Sequence, residues 1–303
     1  MTDNAVSLAM LKNSRVWGQL KYAIRWISRS NACMSGVVIV GAATIVAVIG
    51  PSILSPHPYG EINLAIRLSP PFWMEGGSTG YPLGTDALGR DLLSQMIFSV
   101  RVALLIGGIV TMLAATTGVF LGLIAGYRGG IAEVIIMRLV DVQWSFPYVI
   151  LAIAVMALLG TNLFNLVAVL AVNQWVSYAR IVRSQVLSLK EQEFVTAAIA
   201  VGSKPASIIF RHLLPNVMSQ ILVNTSFHMA GIILMESSLS FLGLGVPPPT
   251  PTWGGLLAEG RSYLYVSWWI VTFPGLAITL TVLGANLVGD WLRDVLDPRL
   301  KSR

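Results

Sequence analysis

Residues able to do chemistry are few in this 303-residue chain, and they are widely spaced. Three histidines are present (His57, His212, His228), with a single cysteine, Cys33. No Ser/His/Asp, Cys/His or H-E-x-x-H arrangement joins them, so no catalytic residues are assigned. His57 lies in the same stretch as Asp86 and Asp91, but without the tight ligand spacing that holds a metal, and no metal site is expected. A lone cysteine leaves no intrachain disulfide framework. The SNAC string around Cys33 is not a lipoprotein cleavage box, because the apolar run follows the cysteine instead of preceding it. No GxxxxGK[ST] phosphate loop occurs, so no ATP site and no cofactor is expected on this chain. What remains is a set of polar side chains inside apolar stretches, where burial in lipid is costly and function is a frequent reason for keeping them. These are Asn173, Gln174, Asn224 with its neighbours Thr225 and Ser226, His228, and Asn286, the candidates for a functional polar path. His228 stands near the middle of its apolar stretch and can donate or accept a hydrogen bond. Cross-helix packing is the alternative reading for it.

The elements that carry these groups are membrane spans. Apolar residues make up 55% of the chain and charged residues only 11%, where a soluble domain would carry about 25% charged. The formal charge of +6 therefore points to membrane topology and lipid, and no nucleic-acid partner is expected. Windows without charge mark the spans: Met34–Leu54, then Arg101 to Arg128, Asp141 to Arg180, His212 to Glu236, and Arg261 to Asp290. A helix needs roughly 20 residues to cross the bilayer core, so Asp141 to Arg180 is too long for one span. Gly160-Thr161-Asn162 is a natural turn near its middle, which makes a hairpin whose first helix begins near Glu133. Arg138 and Asp141 then stand i,i+3 at the surface and are expected to pair. Pro147 and Pro274 are expected to kink their helices.

The reading is an all-α integral membrane protein with six transmembrane helices and both termini cytoplasmic. With the N-terminus inside, only Arg67, Arg90, Arg101 and Arg261 fall outside, leaving sixteen of the 20 basic residues on the cytoplasmic side. That is the positive-inside bias. The apolar run is too long for a signal peptide core of about 7–15 residues, so a retained first span is expected. The tail from Leu11 to Ile27, with Lys12, Arg15, Lys21 and Arg25, reads either as an amphipathic helix lying on anionic lipid or as a plain basic tail. Domain boundaries follow: a cytoplasmic tail 1–33, a first span 34–54, an extracytoplasmic loop 55–100, a five-helix core 101–291 and a cytoplasmic tail 292–303. In the outer loop Asp86 is expected to cap a helix, with Asp91 in the first turn. Leu88, Leu92, Met96 and Val100 recur at helical spacing into the second span. Further on, Pro247–Pro251 and Trp253 form a stiff outer loop, which is either a gate or docking edge or structural.

One connection is unlike the rest. The stretch Ser188–Asn216, within a cytoplasmic loop 184–216, is polar at its start, yet lies between long apolar segments. Ser188 with Glu191 reads as a capping box. Gly202 suits a helix C′ position. Ser203 reads as the cap of a second helix with Pro205 in its first turn, and Pro215 as its stop. The result is a helix–Gly–helix unit shaped to be gripped from outside the bilayer.

At EFVTAAIAVGSKPASIIFRHLLPN, from Glu193, the sequence resembles the cytoplasmic EAA loop of permease subunits of bacterial ABC importers. Ala197, Ala198, Gly202, Leu214 and Pro215 match the pattern, while Thr196 stands at the usual glutamate and His212 at a frequent isoleucine. LGTDALGRDLLS from Leu83, LSFLGLGVPPPTPTWGGLL from Leu239, WWIVTFPGLAITLTVLGANLVGDWLRDVLDPRL from Trp268 and DVQWSFP at Asp141–Pro147 resemble the peptide and nickel branch, of the dipeptide/oligopeptide permease C type. The resemblance implies a type I importer permease fold in the bacterial inner membrane. It implies a heterodimer with a paralogous permease, two ATP-binding subunits that carry ATP and magnesium, and an extracytoplasmic solute-binding protein. It further implies that Glu193, Thr196, Ala197, Ala198, Gly202, Pro205 and Arg211 form the ATPase coupling surface, with the small residues admitting a close partner. The expected cargo is di- or oligopeptides. Nickel is the alternative within the branch, against which three scattered histidines argue. An ion-coupled secondary transporter or channel is the rival of another class; it would call for internal repeats and mid-span carboxylates, neither of which is found.

Overall fold

The computed structural model describes residues 31–296, and over that range every regular element is helical. Nine helices organise the molecule. They are α1 (Asn31–Ile53), α2 (Leu92–Arg128), α3 (Gly130–Trp144), α4 (Tyr148–Leu159), α5 (Leu163–Lys190), α6 (Glu193–Ala200), α7 (Pro205–Phe241), α8 (Trp253–Gly260) and α9 (Trp269–Leu296). The basic stretch Leu11–Ile27 and the last seven residues lie outside the described range.

Four of these, α1, α2, α7 and α9, are long and apolar enough to cross a membrane. At about 1.5 Å per residue, the 37 residues of α2 reach well beyond a hydrocarbon core of about 30 Å. The α3–α4 pair meets the same test only when taken together, because it bends by 86° at its break. Pro147 is the cause in the chain: it stands as the N-cap of α4, where a proline restrains the residue before it and ends the preceding helix. The proline therefore breaks its helix outright where a kink was expected. Pro274, by contrast, lies inside an unbroken α9. Helix α5 has the length of a span, 28 residues, but Arg180, Arg183 and Lys190 fall in its second half. The described residues thus give four spans, or five with the bent pair, and a sixth only if α5 is counted.

The core is built by α2 against α5. Gly118, Gly122 and Gly126 recur every fourth residue on α2, and a Cβ at these positions would lie 2.6 Å from Tyr178 Cβ, 2.7 Å from the Ala179 carbonyl oxygen and 2.7 Å from Val186 Cβ. The missing side chains let the two backbones touch, as small residues do between membrane helices. Around this seam Ala114, Leu123, Tyr178, Val182 and Val186 are buried together.

The 54–91 loop is tied down at the other end. Asp91, not Asp86, is the N-cap of α2, accepting from the Ser94 backbone N–H at 2.9 Å. Asp86 instead organises a turn: it accepts from the Leu88 and Arg90 backbones, from Arg90 Nε at 2.6 Å and from Gln95 Nε2 at 2.9 Å. Leu88 falls before the helix and is exposed. Trp269 Nε1 donates to the Thr85 carbonyl and Arg90 reaches Glu259, so this loop, α8 and the start of α9 form one outer layer. His57 stacks on Tyr81 and meets the Gly80 carbonyl.

Candidate functional site

The connection between α5 and α7 is short and ordered. Helix α5 runs through Ser188 to Lys190, and Gln192 is the N-cap of α6. The Ser188–Glu191 capping box is therefore not formed. The apolar seam with α2 reaches Val186 and Leu189, and that packing holds α5 helical past the local cap signal. At the far end of α6, Gly202 has φ +78°. Its N–H donates to Ile199 O at 2.9 Å and the Ser203 N–H to Ala198 O at 3.1 Å. These are the paired bonds of a Schellman turn, which glycine enters without a Cβ penalty. Lys204, one residue beyond the expected Ser203, caps the next helix, with Pro205 in its first position. Pro215 does not stop that helix. Ile208–Leu213 is a π-helical stretch inside α7, and the helix continues through Pro215 to Phe241. A π-turn widens the helix by one residue per turn, and here it directly precedes the proline whose N–H is missing from the ladder.

Burial sorts the expected surface residues into two groups. Val195 and Ala198 face inward, packed with Ile208, Leu213 and Val217. Ala198 thus serves the chain's own core and is not open to a partner. Glu193, Thr196, Ala197, Gly202, Pro205 and Arg211 are exposed. Thr196, at the acidic position of the pattern, turns its hydroxyl back to the Glu193 carbonyl at 2.9 Å. Sequence reasoning missed Phe194, Ile199 and Val201, which leave apolar surface exposed on the same unit, Val201 at 81%. The signal was legible: apolar residues at positions that the inward Val195 and Ala198 leave on the opposite side.

The first arm of the unit is clamped. Lys190 Nζ donates to the Tyr127 carbonyl at 3.0 Å, satisfying the C-terminal end of α2. Arg183 pairs with Glu133. Arg180 pairs with Asp141 at 2.7 Å and lies over the Trp144 ring. The expected Arg138–Asp141 pair is replaced by this cross-helix one, because α5 brings a guanidinium alongside α3.

The polar residues inside the helices do not converge on one cavity. Gln174 is buried, with its amide nitrogen 3.4 Å from Met235 Sδ, and Asn173 points at the same sulfur from 4.0 Å. The Tyr178 ring lies 4.8 Å from His228, and the Tyr178 hydroxyl donates to Thr225 at 3.3 Å. That contact is the cross-helix packing arrangement. Asn224 donates to its own helix at Gln220 O, and Asn286 is half-buried on α9. A further group escaped the sequence reading. Glu236, taken there as the edge of a span, is 1% exposed inside α7 and, among the described residues, accepts hydrogen bonds only from Ser237 and Ser240 of its own helix. The serines at i+1 and i+4 were the available clue.

Residues 118–302 match the family described as binding-protein-dependent transport system inner membrane component. The chain belongs to this family. The permease is 39% identical over 275 residues to the di/tripeptide transport system permease protein DppC of Pseudomonas aeruginosa, covering 91% of this chain and 90% of that one. It is 37% identical over 275 residues to the oligopeptide transport system permease protein OppC of Bacillus subtilis, covering 90% and 88%. It is 44% identical over 228 residues to the glutathione transport system permease protein GsiD of Pectobacterium atrosepticum, covering 75% and 76%. It is thus a multi-pass membrane permease, a transport subunit of an ABC importer and not an enzyme.

Proposed function

We propose that this permease carries short peptides across the bacterial inner membrane, as one half of a heterodimer with a paralogous permease. Its relatives named above are permeases for di- and tripeptides, oligopeptides and glutathione, and their match over most of the chain is the observation that carries the cargo assignment. A solute-binding protein delivers the peptide from outside, and two ATP-binding subunits supply ATP and magnesium from inside. All six helical segments span, counting the bent α3–α4 pair and α5, and both termini are cytoplasmic. The basic residues at the Lys190–Tyr127 end of the bundle support that orientation.

The coupling surface is the outward side of Glu193–Gly202. Phe194, Ile199 and Val201 are its apolar knobs, Ala197 and Gly202 admit close approach, and Glu193 and Arg211 add directional contacts. Its two arms differ. The α5 arm is locked to α2 by glycine contacts and the Lys190 bond, with the Arg183–Glu133 pair tying it to α3, so a push on the turn tips α2 and α5 together. The α7 arm carries the π-turn Ile208–Leu213 near its start, and that turn absorbs the displacement. ATPase closure is thereby converted into tilting of one helix pair against the rest.

The test is ATP-driven uptake of a radiolabelled dipeptide by the reconstituted importer. Uptake that requires the binding protein is expected. No peptide uptake, together with accumulation of nickel by the same assembly, would replace the cargo assignment.

A further inference from the structure

The 71–77 turn of the outer loop is well made, yet it leaves two large rings outside. The Met74 N–H donates to Pro71 O at 2.9 Å, the Gly77 N–H to Met74 O at 2.9 Å, and the Phe72 N–H to Pro82 O at 3.3 Å. A Cβ on Gly77 would lie 2.1 Å from the Pro71 oxygen, so the turn closes too tightly for a side chain there. Met74, Leu83 and Phe273 pack against the buried group Leu92, Trp269 and Ile270, which fixes the turn to the start of α9. Phe72 and Trp73 remain 53% and 51% exposed. Glu75 is the single charge between residues 69 and 84.

Helix α9 gives the depth of these rings. Its first charge from the outer end is Asp290, and the roughly 20 residues that cross the bilayer core, counted back from Gly289, reach Ile270. The outer hydrocarbon boundary therefore falls at residues 269–270. The loop hangs at that level, where the Thr85 carbonyl accepts from Trp269 Nε1 at 3.3 Å. Trp73 reaches further: its ring stands edge-on to Phe273 at 6.1 Å, one turn inside the boundary. Phe273 lies 5.9 Å from the Trp268 ring, and Phe72 lies 5.1 Å from Trp73, so the four rings form a row. Beneath the row, α9 exposes Leu276, Leu280 and Leu283. Thr272 and Thr279 share that side, and their hydroxyls turn back to their own helix, at Trp268 O and Gly275 O. Aliphatic side chains below, aromatic rings at the boundary and polar groups satisfied internally are the chemistry of a lipid-facing surface. A side packed on another helix favours small residues and cross-helix hydrogen bonds.

We propose that the 71–77 turn is a membrane anchor of the outer layer, seating Phe72 and Trp73 where headgroups meet acyl chains in the outer leaflet beside α9. The Trp73 indole N–H faces the ester and phosphate oxygens, while its ring and Phe72 cover acyl carbon. The occupant is phospholipid irrespective of headgroup, because no basic side chain lies in the turn. Through the Arg90–Glu259 pair the anchored loop fixes the height of α8 on the bilayer. The anchor is independent of the cargo.

The test is photocrosslinking of the whole importer in nanodiscs of phosphatidylcholine and phosphatidylglycerol. The photoreactive residue p-benzoylphenylalanine replaces Trp73 in one preparation, Phe72 in a second, and Leu280 in a third as the reference for lipid contact. After irradiation, with and without the solute-binding protein, adducts on this chain are read by mass spectrometry. Phospholipid adducts are expected at 73 and 72 within about twofold of the yield at 280, with the new bond on glycerol or the first acyl carbons, the depth of an interfacial aromatic. Adding the binding protein should leave them unchanged. Lipid at neither position, whether the adduct there is protein or absent, overturns the anchor, as does loss of the lipid adducts when the binding protein is added. Any result at 280 other than lipid overturns the lipid-facing reading of α9 and the anchor with it.

Discussion

Gly202 holds a backbone conformation that costs an L-residue roughly 1–2 kcal/mol, and no atom stands within 4 Å of where its Cβ would be. Gly202→Ala should therefore loosen the turn without a clash: normal expression, slower ATP-driven uptake. Gly202→Asp adds a charge beside Val201 and should abolish ATPase association. The two alanines of the motif give a sharper contrast. Ala198 is buried and Ala197 exposed, so Ala198→Leu should overpack the core, lowering stability by about 1–3 kcal/mol in a thermal melt. Ala197→Leu should leave the melt unchanged while weakening the ATPase complex. Equal effects of the two on the melt would contradict this division. Sequence alone matched both alanines to one surface, because a motif records which residues recur and not which side of a short helix they take.

Among the elements, the α2–α5 pair and the π-turn carry opposite expectations. Gly122→Leu drives a side chain into the Ala179 carbonyl and Val182, which should cost about 3 kcal/mol or more, read as a large loss of thermal stability in detergent. Deleting Phe210, an exposed residue within the π-helical Ile208–Leu213, removes the extra residue and returns the helix to α spacing. The chain should still fold and bind its ATPases, yet uptake should fall to near background; unimpaired uptake would remove the π-turn from the mechanism. The apolar windows for α1, α2, α7 and α9 were legible in the sequence because charge exclusion is set by lipid alone. The limits of α5 and α7 were not. The Ser188 cap and the Pro215 stop are local signals, and long-range packing along Val186, Leu189 and Leu213 outweighs them.

For the whole molecule, function was more legible than geometry. The missing phosphate loop, the charge-free windows and the Glu193–Pro215 pattern together led to a transport subunit that borrows its ATPase. The cross-chain ties were not readable, since Arg180–Asp141, Arg90–Glu259 and Lys190–Tyr127 join residues far apart in sequence, 39, 169 and 63 positions respectively. Nor was buried Glu236, whose neighbours are set by how α7 packs. The central claim is that the outward side of Glu193–Gly202 is where the ATPase engages. Affinity purification of this permease after deletion of Thr196–Ser203, with the ATPase subunits quantified beside it, tests that claim most directly. The account predicts that the paralogous permease is retained and the ATPases are lost; ATPases retained at the wild-type ratio, with transport intact, would contradict it.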